Sequence, residues 1–377
     1  MKASCRFGGV SLALALAILP ASLAGQVLQG DVTDSITGRP VAGGLVVLLG
    51  SHDSIVASAT TTERGSFSLP AVPAGEYRVR VLRIGSRVWL SPPLALPAGQ
   101  TLNRHLIVAS APVMLAEIVV VGTSTCKSDL NADANVATLW EEARKALNLT
   151  EGTARGPRFD YRMHVTTRKL DPTGQIATEE TLGKTGVGAW PIKSAPVQSL
   201  AEHGYVQPAD SIRGPRYYGP DAEVFFSDQF RESHCFRIVA PPKKRPELIG
   251  VGFEPEKTRN LPDITGVMWL DRQSAELREI EFGYTGLWRW VPPGTAGGAL
   301  EFVRLPSGAW IISGWRVTAP VAAVEPLKID QHADETVFPY FGNKRVKLAG
   351  YMEEHGYVEE VRSSDSTVVW RAPGTRP

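Results

Sequence analysis

VLQGDVTDSITGRPVAGGLVVLLGS (residues 27–51), TTTERGSFSLPAVPAGEYRVRVLRIG (60–85) and LAEIVVVG (115–122) are built from short strands and turn residues. Val27 to Val32 alternates, and Thr37-Gly38-Arg39-Pro40 turns the chain. Leu45 to Leu49 is an unbroken apolar run that fits a strand buried on both faces. Ile55 to Thr61 is a further strand, and Glu63-Arg64-Gly65 is a hairpin turn before Phe67 and Leu69. Pro73-Ala74-Gly75 leads into Tyr77 to Leu82, where Tyr77, Val79 and Val81 point inward and Arg78 and Arg80 outward. Short strands at regular spacing, punctuated by Gly and Pro, indicate a β-sandwich.

Residues 1–25 read as an export signal. Lys2 and Arg6 precede the apolar run Val10 to Leu19, and Ser22-Leu23-Ala24 offers small residues at a cleavage spacing. The run is shorter than the roughly 20 residues a spanning helix needs, and no later segment reaches that length. The mature chain is therefore expected to lack a transmembrane segment and to reside in the periplasm or at the outer-membrane periphery. Cys5 precedes the apolar core and is not placed for lipidation. The 40 Lys and Arg nearly balance the 39 Asp and Glu, so the surface gives no case for nucleic acid. The length suits two domains and the 43% hydrophobic content suits globular cores. Cys126 and Cys235 are the cysteines left after cleavage. An even count in an exported chain favours one disulfide, which over a loop this long is worth roughly 4 to 5 kcal/mol before strain; two buried thiols are the alternative.

The combination GDVTDSITGRPVAGGLVVLL, TTTERGSFSLPAVPAGEYRVRVLRIG and EIVVVG resembles the carboxypeptidase regulatory-like domain, a transthyretin-like sandwich of about residues 26–109. The resemblance implies an accessory or docking module with no catalytic role. Similar modules precede the plug of TonB-dependent outer-membrane receptors, and Glu117 to Gly122 resembles the segment that follows them there. In this chain that segment belongs to a linker over residues 110–128, and too few residues follow for a plug and a barrel.

From about residue 129 the chain reads as an α+β domain. Asn135 is a candidate N-cap for an amphipathic helix from Val136 to Leu147, with apolar Val136, Leu139, Trp140, Ala143 and Leu147 and an i, i+4 pair of Glu141 with Lys145. Strands are expected at Phe159 to Lys169, Glu223 to Phe226, Cys235 to Val239, Glu247 to Phe253, Thr265 to Leu270, Glu276 to Tyr284, Ala299 to Leu305, Ala309 to Ala319, Gln331 to Phe338 and Tyr357 to Ser363. A long antiparallel sheet curled around the helix buries one face of such strands. Ile264 to Ile280, with the turn Asp271-Arg272-Gln273-Ser274, and the preceding GVGFEPEKTRNLPD resemble the repeating hairpin of periplasmic lipoprotein-carrier half-barrels. The fold class is thus mostly β: a transthyretin-like sandwich, then a half-barrel-like curled sheet with one packed helix.

No catalytic, metal or cofactor residues are assigned. There is no G-x-S-x-G, Walker loop or dinucleotide fingerprint. His332 and Glu335 show an HxxE spacing in a strand-like segment, without the α/β scaffold and further ligand that a zinc peptidase needs. Asp263 and Asp271 read as turn residues that cap their own backbone. Trp269, Trp288, Trp290, Trp310 and Trp315 either fill the sheet's core or line an apolar pocket. The expectation is a non-enzymatic exported envelope protein of a Gram-negative-type bacterium. Its role is binding or adaptor, with a lipid-like ligand or an outer-membrane protein as partner. An envelope-polymer hydrolase and an accessory partner of an outer-membrane receptor are the alternatives.

Overall fold

The computed structural model describes residues 27–109, 113, 115, 134–155, 159–187, 191–192, 194–207, 215–326 and 344–374. Glu117 to Gly122, Cys126, Gln331 to Phe338, His332 and Glu335 lie outside the described residues. The first domain comprises β1 (Val27–Asp34), β2 (Leu45–Leu49), β3 (Ile55–Thr60), β4 (Ser66–Ser68), β5 (Gly75–Leu82), β6 (Trp89–Leu90), β7 (Leu94–Leu96) and β8 (Thr101–Val108). One sheet runs β4-β1-β8, with β1 and β8 parallel; the other runs β3-β2-β5-β6, with β7 also on β5. Leu28, Val32, Val46, Leu48, Phe67, Val79 and Val81 fill the space between the sheets.

The second domain follows as α1 (Ala134–Arg155), β9 (Asp160–Leu170), β10 (Ile176–Val187), α2 (Val197–His203), β11 (Val206–Gln207), β12 (Arg216–Tyr217), α3 (Ala222–Phe226), α4 (Asp228–Ser233), β13 (His234–Val239), β14 (Leu248–Pro255), β15 (Asp263–Asp271), β16 (Leu277–Thr285), β17 (Gly297–Arg304), β18 (Trp310–Pro326), β19 (Lys344–Arg362) and β20 (Val368–Arg371). All but the small β11–β12 pair form one open antiparallel sheet, ordered β10-β9-β19-β18-β17-β16-β15-β14-β13, with β20 also on β19. The Asp271 turn forms as read: its Oδ1 accepts from the N–H groups of Gln273 and Ser274, both at 2.9 Å.

The two domains share a core. The apolar run of β2 is buried on both faces: Val46 and Leu48 enter the sandwich, whereas Leu45, Val47 and Leu49 pack with α1. On its other side α1 touches β13, β14, β15, β16 and β18, where Leu139, Trp140, Ala143 and Leu147 join Ile249, Val251, Met268, Leu300 and Trp310. The helix is therefore the middle layer between two sheets. Leu115, from the segment joining the domains, is fully buried in the same cluster.

Burial on both sides explains where the helix departs from its expected form. It begins at Ala134, so Asn135 lies in its first turn and is not the cap, and it continues eight residues past Leu147. Thr150 and Thr153 are buried on the added turns, their hydroxyls satisfied by the Ala146 and Leu149 carbonyls. The Glu141–Lys145 pair does not form. Glu141 binds Arg144 at 2.6 Å, and Lys145 turns inward to Glu142, also at 2.6 Å. Lys145 Nζ further donates to the Ser86 carbonyl and Glu142 accepts from the Gly85 N–H. The loop after β5 is thereby tied to the helix by a pair only 2% exposed. Nearby, Gly43 and Gly308, both with φ in the left-handed region, pack backbone to backbone. A Cβ on Gly43 would lie 2.4 Å from the Gly308 carbonyl oxygen, so only glycine permits the contact.

The expected strand Glu223 to Phe226 is helical instead. The Asp221 side chain accepts from the Val224 N–H and caps α3. β10 was not anticipated: IATEETLGKTGV is mostly polar because both its faces are exposed.

Lys145→Met should destabilise the protein by about 3–5 kcal/mol, because it strands a buried carboxylate. Glu142→Gln combined with Lys145→Met should recover much of that loss. Urea denaturation of the three proteins measures it; equal stability of wild type and Lys145→Met would contradict the shared-core account.

Candidate functional site

α1 packs on one face of the large sheet, with the short helices α2 to α4 beside it. Among the described residues, a cleft lined by Leu200, Tyr205, Val224, Phe230, Ser233 and Arg259 among others encloses about 10 Å³. That is about one water's worth of space.

The five tryptophans do not converge there. Trp310 and Trp315 belong to the α1 core, and the Trp315 indole N–H donates to Glu354 at 3.1 Å. Trp269 is buried on the opposite side of its strand from Met268 and Leu270, its ring over Gly250. Trp288 and Trp290 stack on each other, centroids 5.7 Å apart, in the loop between β16 and β17 rather than in a strand.

Beside the cleft lies a polar cluster that the sequence did not reveal. Asp263, read as a turn residue, is fully buried at the start of β15. His234 Nε2 lies 3.2 Å from its Oδ1, and the Arg259 Nε donates to its Oδ2. Arg259 also donates to the Leu200 and Ala201 carbonyls, which closes the end of α2. Ser233 Oγ stands 3.0 Å from His234 Nδ1, completing a Ser–His–Asp succession. However, Nδ1 also faces the Phe230 carbonyl at 3.0 Å. On the other side of the ring Nε2 faces the Asp263 carboxylate, so the imidazole is hemmed in by a hydroxyl, a carbonyl and a carboxylate. Arg259, four residues before Asp263, was the one available signal, and it is indistinguishable by spacing from a surface pair. Among the described residues, no group of three His, Cys, Asp or Glu is arranged to hold a metal. No helix among them is long and apolar enough to cross a membrane.

The open feature of the molecule is the end of the large sheet formed by β18, β19, β9 and β10. On the inner face a cross-strand row runs Leu182–Val165–Gly356–Trp315. It passes from the buried core at Trp315 to Leu182, which is 50% exposed. On the outer face the matching row is Gly183–His164–Tyr357–Gly314, with the His164 and Tyr357 rings stacked at 5.1 Å. Charges brace that face: Arg168 binds Glu179 at 2.5 Å and Glu353 at 3.1 Å, while Arg162 reaches Glu359 and Glu360. β10 closes the row. Among the described residues it pairs with β9 alone, so the main-chain groups along its other side form an open edge. The only irregularity is a bulge between Ile176 and Thr178, and no proline interrupts the strand.

Burial acts to raise the Asp263 pKa, but His234 and Arg259 outweigh it and hold the carboxyl below its usual 3.8. Its contribution to stability is therefore complete above that value and is lost as pH falls through the lower folded value. Asp263→Asn should be less stable than wild type at pH 7, and the gap should narrow below about pH 4. Denaturation midpoints measured across pH check this; a gap that stays constant to pH 2 would contradict it.

Residues 27–109 match the family model of the carboxypeptidase regulatory-like domain. No curated protein matches the chain. Among solved structures, the chain is similar to a DUF3823 family protein from Bacteroides ovatus, at 10% identity over 61% of this chain and 91% of that one, with a TM-score of 0.19. It is also similar to a DUF1329 family protein from Desulfovibrio piger, at 6% identity over 60% and 94%, with a TM-score of 0.26. A third is a type II cohesin–X-dockerin complex from Acetivibrio cellulolyticus, at 17% identity over 30% and 84%, with a TM-score of 0.19. Likenesses at these scores carry no argument about the second domain. The first domain, by its matched residues and its two packed sheets, is a carboxypeptidase regulatory-like β-sandwich.

Proposed function

We propose that the protein is an exported, non-enzymatic adaptor of the bacterial envelope that docks a partner polypeptide by strand addition along β10. The carrying observation is the open β10 edge at the end of a ten-stranded sheet, exposed on both faces. Strand addition uses main-chain hydrogen bonds for affinity and alternate side chains for selectivity. The accessory role that the resemblance implies for the first domain supports the reading, as does the core it shares with α1. The cleft beside α2 and α4, at about 10 Å³, is too small for an acyl chain, which supports a docking role over a lipid-like ligand there. The small cleft at Ser233, of about 10 Å³, supports the non-enzymatic reading over a hydrolase. Export by the segment 1–25 and a Cys126–Cys235 bridge belong to the same proposal; Cys235 is buried at the start of β13.

Cells expressing the protein should retain it with the outer-membrane fraction, and Leu182→Lys should release it to the soluble periplasm without altering its folding. Identical fractionation of the two proteins, or uptake of a fluorescent acyl probe by the folded wild type, would overturn the reading. In material from the periplasm, Cys126 and Cys235 should resist alkylation until reduced. With the bridge formed, Cys235→Ser should lower stability by about 2–5 kcal/mol.

A further inference from the structure

β10 carries the charges that normally guard a sheet edge, but their order along the strand is self-complementary. An antiparallel pair of identical edges requires a two-fold axis perpendicular to the sheet, because only that axis reverses the strand while keeping each face on its own side. Residues directly opposite then share a face, and the register is set by the residue at the axis. With the axis at Glu180, two glutamates oppose each other. At Thr181, Glu180 meets Leu182 and Thr178 meets Lys184. At Gly183, Leu182 meets Lys184. With the axis at Leu182, Leu182 meets Leu182 and Glu180 meets Lys184 on both sides of it. Thr181 then meets Gly183, and Glu179, already held by Arg168, meets Thr185. Glu180, Leu182 and Lys184 all lie on the inner face, opposite Thr167, Val165 and Met163 of β9.

We infer that the partner of the β10 edge is a second copy of this chain, paired antiparallel about Leu182, which joins two ten-stranded sheets into one continuous sheet. The inference rests on the docking role of β10 proposed above and names its occupant. The half-exposed Leu182 side chains cover each other at the axis. The two Glu180–Lys184 pairs flank them, as favourable cross-strand pairs do. Gly183, with open space around the position of a Cβ, leaves Thr181 of the second copy unobstructed on the outer face.

Sedimentation of the purified mature protein over a concentration series tests this. Wild type should dimerise. Glu180→Lys and Lys184→Glu should each weaken the dimer at least about tenfold, since each puts like charges opposite at two places. The double variant Glu180→Lys/Lys184→Glu should restore it. Independently, Leu182→Cys should form an intermolecular disulfide on mild oxidation, and Glu180→Cys should not, because only position 182 faces itself. A monomeric wild type, single reversals without effect, or a double variant that stays monomeric would overturn the self-pairing. If wild type is monomeric and Leu182→Lys still leaves the membrane fraction, the docking role of β10 stands with a different partner. If wild type dimerises as stated and Leu182→Lys fractionates like wild type, the self-pairing stands and the adaptor role falls.

Discussion

The buried Lys145–Glu142 pair ties the first domain to the helix that packs on the large sheet. Its two charges are almost wholly removed from water. They are compensated by each other, by the Gly85 N–H and by the Ser86 carbonyl. Buried pairs of this kind add little stability over an apolar packing of the same shape, but they penalise any arrangement that leaves one charge alone. Their effect here is on geometry. They tie the loop after β5 to α1, and Leu45, Val47 and Leu49 join the core that the helix shares. The Gly43–Gly308 contact fixes a second point between the same two domains.

That constraint determines which surfaces are left. α1 packs on one face of the large sheet, and the side chains between them form one core. β13 to β16 and the first part of β18 are taken up by this packing. β19 and β9 follow, and β10 ends the sheet as its last strand. A sheet that ends in an exposed strand invites pairing, and natural edges are commonly blunted by proline, short length or charge. β10 has twelve residues and no proline, and of its antiparallel self-registers only the one about Leu182 sets opposite charges face to face.

Local patterns in the sequence carried the fold where burial was one-sided or complete. Leu45 to Leu49 was legible as a strand buried on both faces, and it is. The Asp271 turn was legible because its Oδ1 bonds are local. The helix stripe was legible from Val136 to Leu147, but Thr150 and Thr153 hid the last turns, since polar side chains that satisfy themselves on the preceding carbonyl look like an exit from the helix. Spacing pairs Lys145 with Glu141 rather than with Glu142 because nothing local announces a second sheet above the helix. Phe225 and Phe226 suggested a strand, and the Asp221 cap outweighed them. The β10 site was the least legible part: a strand exposed on both faces has no hydrophobic period to find. The His234–Asp263–Arg259 cluster depends on residues brought together from β13, β15 and the segment between β14 and β15. The tryptophans were prominent in the sequence because of their size, yet the structure spends two of them on the core and stacks two more in a loop.

Amide hydrogen exchange on the mature protein, dilute and then concentrated or mixed with outer-membrane vesicles, tests the docking edge most directly. The account predicts rapid exchange in residues 177–186 for the dilute protein and strong protection there, centred on Leu182, once the partner is present, with β13 to β17 unchanged. Unchanged exchange in that strand, with new protection around α2 to α4 instead, would contradict it.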